Sequence, residues 1–152
     1  MALSVSHQPY EIREILLRDK PMELKKLSAK ATVPVMQLIT GKVLEQSLDI
    51  MYWALKKNDP QDWLNSEGGN LNEMRDLIEK VDTDFKFHLD RYKYSQRYEN
   101  VDIISHRTEG LKFLEALNER LKKYNYLFSS KPTLADYAIV PFVRQFANTD
   151  RV

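Results

Sequence analysis

The sequence predicts an α+β protein in which a small mixed α/β segment precedes an all-helical bundle. Three observations carry that expectation. Short apolar runs, some alternating and some at helical spacing, fill the chain as far as Lys57. A stretch from Asn58 to Asn70 then holds two of the four glycines and one of the six prolines. From Asn72 onward, apolar residues recur three and four apart over long spans. These shifts place the mixed segment at 1–58, a linker at 59–71 and the helical part at 72–152.

Within the first segment the expected order is β-α-β-β-α. Tyr10–Leu17 begins with apolar residues alternating at Tyr10 and Ile12, a strand signal. Lys20–Leu27 carries Pro21 in its first turn and Leu24 and Leu27 three apart, which predicts a short helix. Val33–Ile39 is rich in β-formers and holds Pro34, which cannot donate to a ladder and so should open the strand. Gly41 supplies a turn, and Lys42–Glu45 returns as the hairpin partner. Ser47 can cap a helix through Lys57, with Asp49 in its positive first turn.

Three helices are expected beyond the linker. Leu71, Met74, Leu77, Ile78, Val81, Phe85, Leu89 and Tyr92 define one apolar face of a helix from Asn72 to Tyr98. Ile103, Ile104, Leu111, Leu114, Leu117 and Leu121 define a second. Thr133-Leu-Ala-Asp136 resembles a capping box that opens the third, with Asp in place of the usual Glu, and Pro141 should kink or interrupt that helix.

Composition excludes several chemistries. The 152 residues include no cysteine, so there is no disulfide, thiolate metal site or cysteine nucleophile. With 23 basic against 22 acidic residues the net charge is +1, which advertises neither a nucleic-acid nor an anionic-membrane partner. No apolar run approaches the roughly 18–20 residues of a membrane span. The first residues lack the basic flank and apolar stretch of a secretory signal, so the expected location is cytoplasmic. His7, His88 and His106 show no ligand spacing with one another or with a carboxylate pair, and no metal is expected.

Three segments together resemble the glutathione S-transferase superfamily, in its bacterial form. Lys30-Ala-Thr-Val-Pro-Val-Met-Gln-Leu38 looks like the family's strand entry with a cis proline. Val43–Leu55 looks like the segment that ends the sheet and opens the next helix. Pro132-Thr-Leu-Ala-Asp-Tyr-Ala-Ile-Val-Pro141 looks like the capped helix of its C-terminal domain. The resemblance implies a partial thioredoxin-like α/β domain followed by the family's helical domain. Relative to that pattern the chain lacks the first strand, the first turn and most of the first helix. It also stops just after the capped helix, leaving the C-terminal domain incomplete. The expectation is a piece of a transferase, or the product of a shortened gene.

The resemblance also assigns roles. The main chain of Val33, held by a cis bond to Pro34, would pair with the cysteinyl peptide of glutathione; on the residues alone, Pro34 reads as a trans proline opening a strand, and the resemblance reverses that reading. Gln46 and Ser47 would bind the γ-glutamyl carboxylate at a helix N-terminus, a role compatible with Ser47 serving as a helix cap. Lys30 would reach the glycine carboxylate, or be an ordinary solvated charge. Thr133 and Asp136 are helix-capping residues with no catalytic part. No residue present is assigned the catalytic role, since Ser4 and Ser6 lie too far along the first helix. Arg91-Tyr-Lys-Tyr-Ser-Gln-Arg-Tyr98 interleaves cations and aromatics, but these spread around several helix faces and are not expected to bind nucleic acid.

The implied function is conjugation of the glutathione thiolate to an electrophilic small molecule. Glutathione is a co-substrate and no cofactor is required, and the expected assembly is a homodimer. The other reading is a non-catalytic glutathione-binding or scaffold remnant.

Overall fold

In the computed structural model, which describes residues 1–149, the chain forms two units, Met1–Asp62 and a second that starts at Trp63. The α+β class and the order of a mixed unit before a helical one agree with the sequence reading.

The first unit holds α1 (Ala2–Val5), α2 (Met22–Leu27), β1 (Met36–Gln37), β2 (Val43–Leu44) and α3 (Ser47–Lys57). The two strands pair antiparallel, Met36 facing Leu44 and Gln37 facing Val43. Gly41, at φ 85°, closes the turn in a conformation that costs glycine little, and its N–H donates to the Leu38 carbonyl at 2.8 Å. Helix α3 buries Ile50, Ala54 and Leu55, and α1 packs against it with Ala2 and Ser6 buried. Asn58 donates through Nδ2 to the Ser6 carbonyl at 3.2 Å, tying the end of α3 to the end of α1.

The strand expected over Tyr10–Leu17 does not form. That segment runs without a ladder, with one isolated bridge between Leu16 and Asp19. Its residues stand in solvent: Ile12 is 69% exposed and Leu17 is 63% exposed. The alternation was real, but a strand is stable only beside a partner, and the neighbouring hairpin is just two residues deep.

The second unit comprises α4 (Leu71–Lys80), a π-helical turn (Val81–Phe85), α5 (Lys86–Lys93), a 3₁₀ turn (Ser95–Arg97), α6 (Ile103–Leu121) and α7 (Leu134–Ala147). One continuous helix to Tyr98 was expected. Instead the wide turn at 81–85 divides it, and the helix ends at Lys93. Thr83 turns back to donate from Oγ1 to the Glu79 carbonyl at 2.8 Å, a competitor for the regular ladder. The apolar face nonetheless holds through the turn: Met74, Leu77, Ile78, Val81, Phe85, Leu89 and Tyr92 are all buried. Each such side chain contributes about 1.5–3 kcal/mol.

Asn70 starts α4 by accepting from the N–H groups of Asn72 and Glu73, while Glu73 Oε2 accepts in return from the Asn70 N–H. This capping box sits within the stretch whose glycines mark it as a linker. Helix α6 departs from its predicted face. Leu117 is buried, but Ile103, Ile104 and Leu121 are 44%, 76% and 45% exposed. The residue that matters most on α6 is Gly110, where a Cβ would come within 2.4 Å of the Phe146 ring. That ring is buried and flanked by Phe85 and Tyr92 at 5.6 and 5.1 Å. Gly110→Ala is therefore expected to lower stability by about 1 kcal/mol or more, overpacking outweighing alanine's better helix propensity. An unchanged urea midpoint would show that the ring yields instead.

Pro141 was expected to kink or interrupt the last helix. No interruption occurs, and α7 runs unbroken from Leu134 to Ala147. The missing amide bond and ring clash cost about 3 kcal/mol in a free helix. Here burial of Leu134, Ala135, Ile139 and Phe146 on the same helix offsets that cost.

Candidate functional site

The hairpin register decides which predicted residues can act together. Because Met36 faces Leu44, the chain entering β1 and the chain leaving β2 lie at one end of the hairpin. Val33 and Pro34 enter there, and Gln46 and Ser47 leave there. All four belong to the first unit. The Val33–Pro34 peptide bond is cis. Val33 is 47% exposed, and its main chain has no hydrogen-bond partner among the described residues. Backbone groups left free in this way can pair with another peptide.

Gln46 rather than Ser47 is the residue that precedes α3. Its φ and ψ are −115° and 138°, and its carbonyl accepts from the Ile50 N–H at 3.1 Å. Ser47 is the first helical residue, so the expectation that its hydroxyl caps the helix is corrected. No side chain caps α3. The N–H groups of its first turn have no intrahelical acceptor and lie at the positive end of the helix dipole. This is a donor set suited to a carboxylate. Asp49, in the same turn, lends the helix start a negative charge and partly offsets that attraction.

Lys30 is exposed and follows the end of α2, where Ala31 takes φ 46° and donates to the Ser28 carbonyl at 3.0 Å. That turn directs the chain toward Val33. Among the described residues no hydrogen bond or ion pair fixes the Lys30 ammonium.

Ser4 and Ser6 fare differently. Ser6 is fully buried, and its Oγ donates to the Leu3 carbonyl at 3.1 Å. Ser4 is exposed on α1.

In the second unit, Asp136 does more than its sequence pattern suggests. Its Oδ2 accepts from the Thr133 N–H at 2.7 Å and from Thr133 Oγ1 at 2.8 Å, while Oδ1 accepts from the Leu127 N–H at 2.9 Å. It joins the start of α7 to the loop before it. With both oxygens committed this way, the geometry is that of a structural junction.

The basic and aromatic residues of 91–98 are turned on one another. The Arg91 guanidinium lies over Phe87 at 3.5 Å and over Tyr98 at 4.6 Å, and Arg97 covers Tyr94 at 4.2 Å. What the sequence could not show is the meeting of His88 and His106, whose Nδ1 atoms are 2.9 Å apart. They are 18 residues apart on different helices, and no spacing rule links them. Among the described residues no group of three histidine or carboxylate side chains is arranged to hold a metal ion. Nor is any helix there long and apolar enough to cross a membrane.

Residues 1–63 match the family model described as glutathione S-transferase, N-terminal domain, and residues 75–151 match glutathione S-transferase, C-terminal domain. No curated protein matches the chain. Among solved structures, it is similar to BphK, described as a bacterial GST in a ternary complex. The TM-score is 0.80 at 13% identity, over 99% of this chain and 78% of that one. It is also similar to glutathione transferase F2 from Populus trichocarpa, with a TM-score of 0.74 at 16% identity, over 97% of this chain and 75% of that one. A class Gtt2 glutathione S-transferase of Vibrio parahaemolyticus gives 0.67 at 19% identity, over 93% and 73%. At such identities the structures speak for the fold.

Proposed function

The chain belongs to the glutathione S-transferase superfamily, and on that premise we propose that its first unit binds glutathione at the open end of the hairpin. The carrying observation is the uncapped N-terminus of α3 beside the unpaired backbone of Val33. The cysteinyl peptide would pair with Val33, the γ-glutamyl carboxylate would take the N–H groups that follow Gln46 together with the Ser47 hydroxyl, and Lys30 would approach the glycine carboxylate. A carboxylate seated on free amides gains charge-assisted hydrogen bonds and the helix dipole together. Such a hold orients the thiol toward an electrophilic second substrate, and orientation accounts for much of the rate in reactions of this kind. The reading includes a homodimer and a cytoplasmic location, as is expected of the family, and requires no metal or prosthetic group.

Calorimetric titration of glutathione tests the site. Ser47→Ala should weaken binding about fivefold, the loss of one hydrogen bond worth about 1 kcal/mol. Ser47→Pro is the sharper variant. Proline is tolerated at the first helical position, and the extended backbone of Gln46 suits the residue before a proline. It would remove both the hydroxyl and one N–H, and should weaken binding further than alanine does. Equal dissociation constants for all three proteins would leave the α3 terminus without this role.

One observation favours a second reading, of a glutathione-binding protein without transferase chemistry. The thiol must be held as thiolate to attack, and the Ser6 hydroxyl is sealed in the core, donating to Leu3. None of Lys30, Val33, Pro34, Gln46 and Ser47 is assigned that task either. Conjugation of glutathione to an aryl halide separates the two readings. A rate no greater than the uncatalysed one, with glutathione bound, selects the second.

A further inference from the structure

The His88–His106 contact lies wholly within the second unit and involves none of the residues proposed to bind glutathione. His88 is on α5 and His106 on α6. Their facing nitrogens are 2.9 Å apart while their ring centroids are 5.0 Å apart, so the two Nδ1 atoms point nearly straight at each other. That is the geometry of a single N–H···N hydrogen bond; ligands of a metal would aim their lone pairs at a common third point. One imidazole must donate from Nδ1 and the other must accept there. A neutral pair can do this, and so can a pair carrying one extra proton. Two imidazolium rings cannot, because each has hydrogens on both nitrogens.

We propose that His88 and His106 form a pH-sensitive clasp between α5 and α6, closed while they share one Nδ1 hydrogen and opened when both rings are cationic.

The surroundings support a clasp that resists a second charge. Phe87 presents its ring edgewise to both imidazoles, at 5.1 and 5.7 Å, and holds the Arg91 guanidinium on its face at 3.5 Å. The His106 pKa is pushed below its ordinary value, chiefly by burial, then by His88 and Arg91, with Asp102 opposing. Of the other charges on α5 and α6, Glu109 is paired with Lys112 at 2.7 Å and also interacts electrostatically with His88. Lys86 is paired with Asp90 at 2.8 Å, while Lys93 and Arg97 lie over Tyr94. From the π turn Asp82 and Asp84 are exposed, and from α7 Arg144 is exposed while Asp136 is bound to Thr133 and Leu127.

The sign follows from linkage. A histidine whose folded pKa lies below the unfolded value of about 6.5 leaves the unfolded chain binding more protons below that pH. The stability is intact above about pH 6.5 and is lost as the pH falls through the folded value.

Two measurements on the full chain test this. In an NMR titration from pH 8 to pH 5, the His106 resonances should move at a pH below the free-imidazole value, and the Nδ1 hydrogen shared with His88 should be lost in the same step. In thermal denaturation, Tm should fall on acidification in the native chain, and His106→Gln should remove part of that fall. A merely structural role would lower Tm by the same amount at every pH. Titration of His106 near pH 6.5 with no loss of a shared Nδ1 hydrogen would overturn the proposal, as would parallel Tm profiles for the native chain and the variant. If His106→Gln does not fold, the titration of the native chain decides alone.

Discussion

Trp63→Ala is expected to destabilise the helical unit by about 3–5 kcal/mol, the range for removing a fully buried aromatic side chain. Trp63 is 1% exposed, and its ring stacks on Tyr137 of α7 with centroids 3.6 Å apart and planes 17° from parallel. Its carbonyl also accepts from the Leu134 N–H at 2.8 Å, at the start of the same helix. Truncation would leave a void beneath α7 that the surrounding Leu134 and Ala135, both fully buried, can fill only by moving the helix. The contrast to draw is with a connecting segment, where a substitution usually changes stability by no more than about 0.5 kcal/mol. Urea denaturation followed by far-ultraviolet circular dichroism reads the difference. A loss below about 1 kcal/mol would mean that neither the burial of the indole nor its stack on Tyr137 stabilises the unit as its geometry implies.

Asp136→Ala should cost about 2–4 kcal/mol, because it orphans two amide hydrogens and a hydroxyl at once. The Leu127 N–H is the telling one. Leu127 is buried, and without Oδ1 its amide would have to be desolvated unpaired. Asp136→Asn keeps the shape with one amide oxygen and should recover part of the loss. Hydrogen exchange at the Leu127 amide gives a local readout: it should quicken strongly in Asp136→Ala and less in Asp136→Asn. If Asp136→Ala matched the native midpoint, the junction between the loop and α7 would be held by packing of Leu127 and Phe128 alone. Because these contacts lie inside the second unit, both Asp136 variants should leave glutathione affinity at Val33 and Ser47 unchanged in any protein that remains folded.

How much of this was legible beforehand differs from element to element. The apolar face from Met74 to Tyr92 was read correctly residue by residue, because a 3.6-residue period is written in the chain itself. The π turn inside it was not, since one extra residue in a helix leaves the mean period almost intact. Thr133 and Asp136 were recognised as capping residues because that signature is local, four residues long, and independent of the rest of the fold. Asn70 and Glu73 form the same device, but directly after Gly68 and Gly69 the local pattern signals a chain reversal as strongly as a cap.

The sequence by itself determined the class of the protein, the placing of a mixed segment before a helical one, the α4–α5 core face and, through three short segments, its family. Each rests on interactions between residues close in the chain, or on patterns that repeat along it. Only the tertiary structure decided the rest. It left Tyr10–Leu17 without a ladder, since a strand exists only where another chain segment offers its hydrogen bonds. It carried α7 through Pro141, because burial along the helix outweighs a local penalty. It brought His88 to His106 and Trp63 to Tyr137, pairs whose separation in sequence bears no relation to their distance in space. It also moved the start of α3 back by one residue, leaving Ser47 inside the helix and the first-turn amides uncapped.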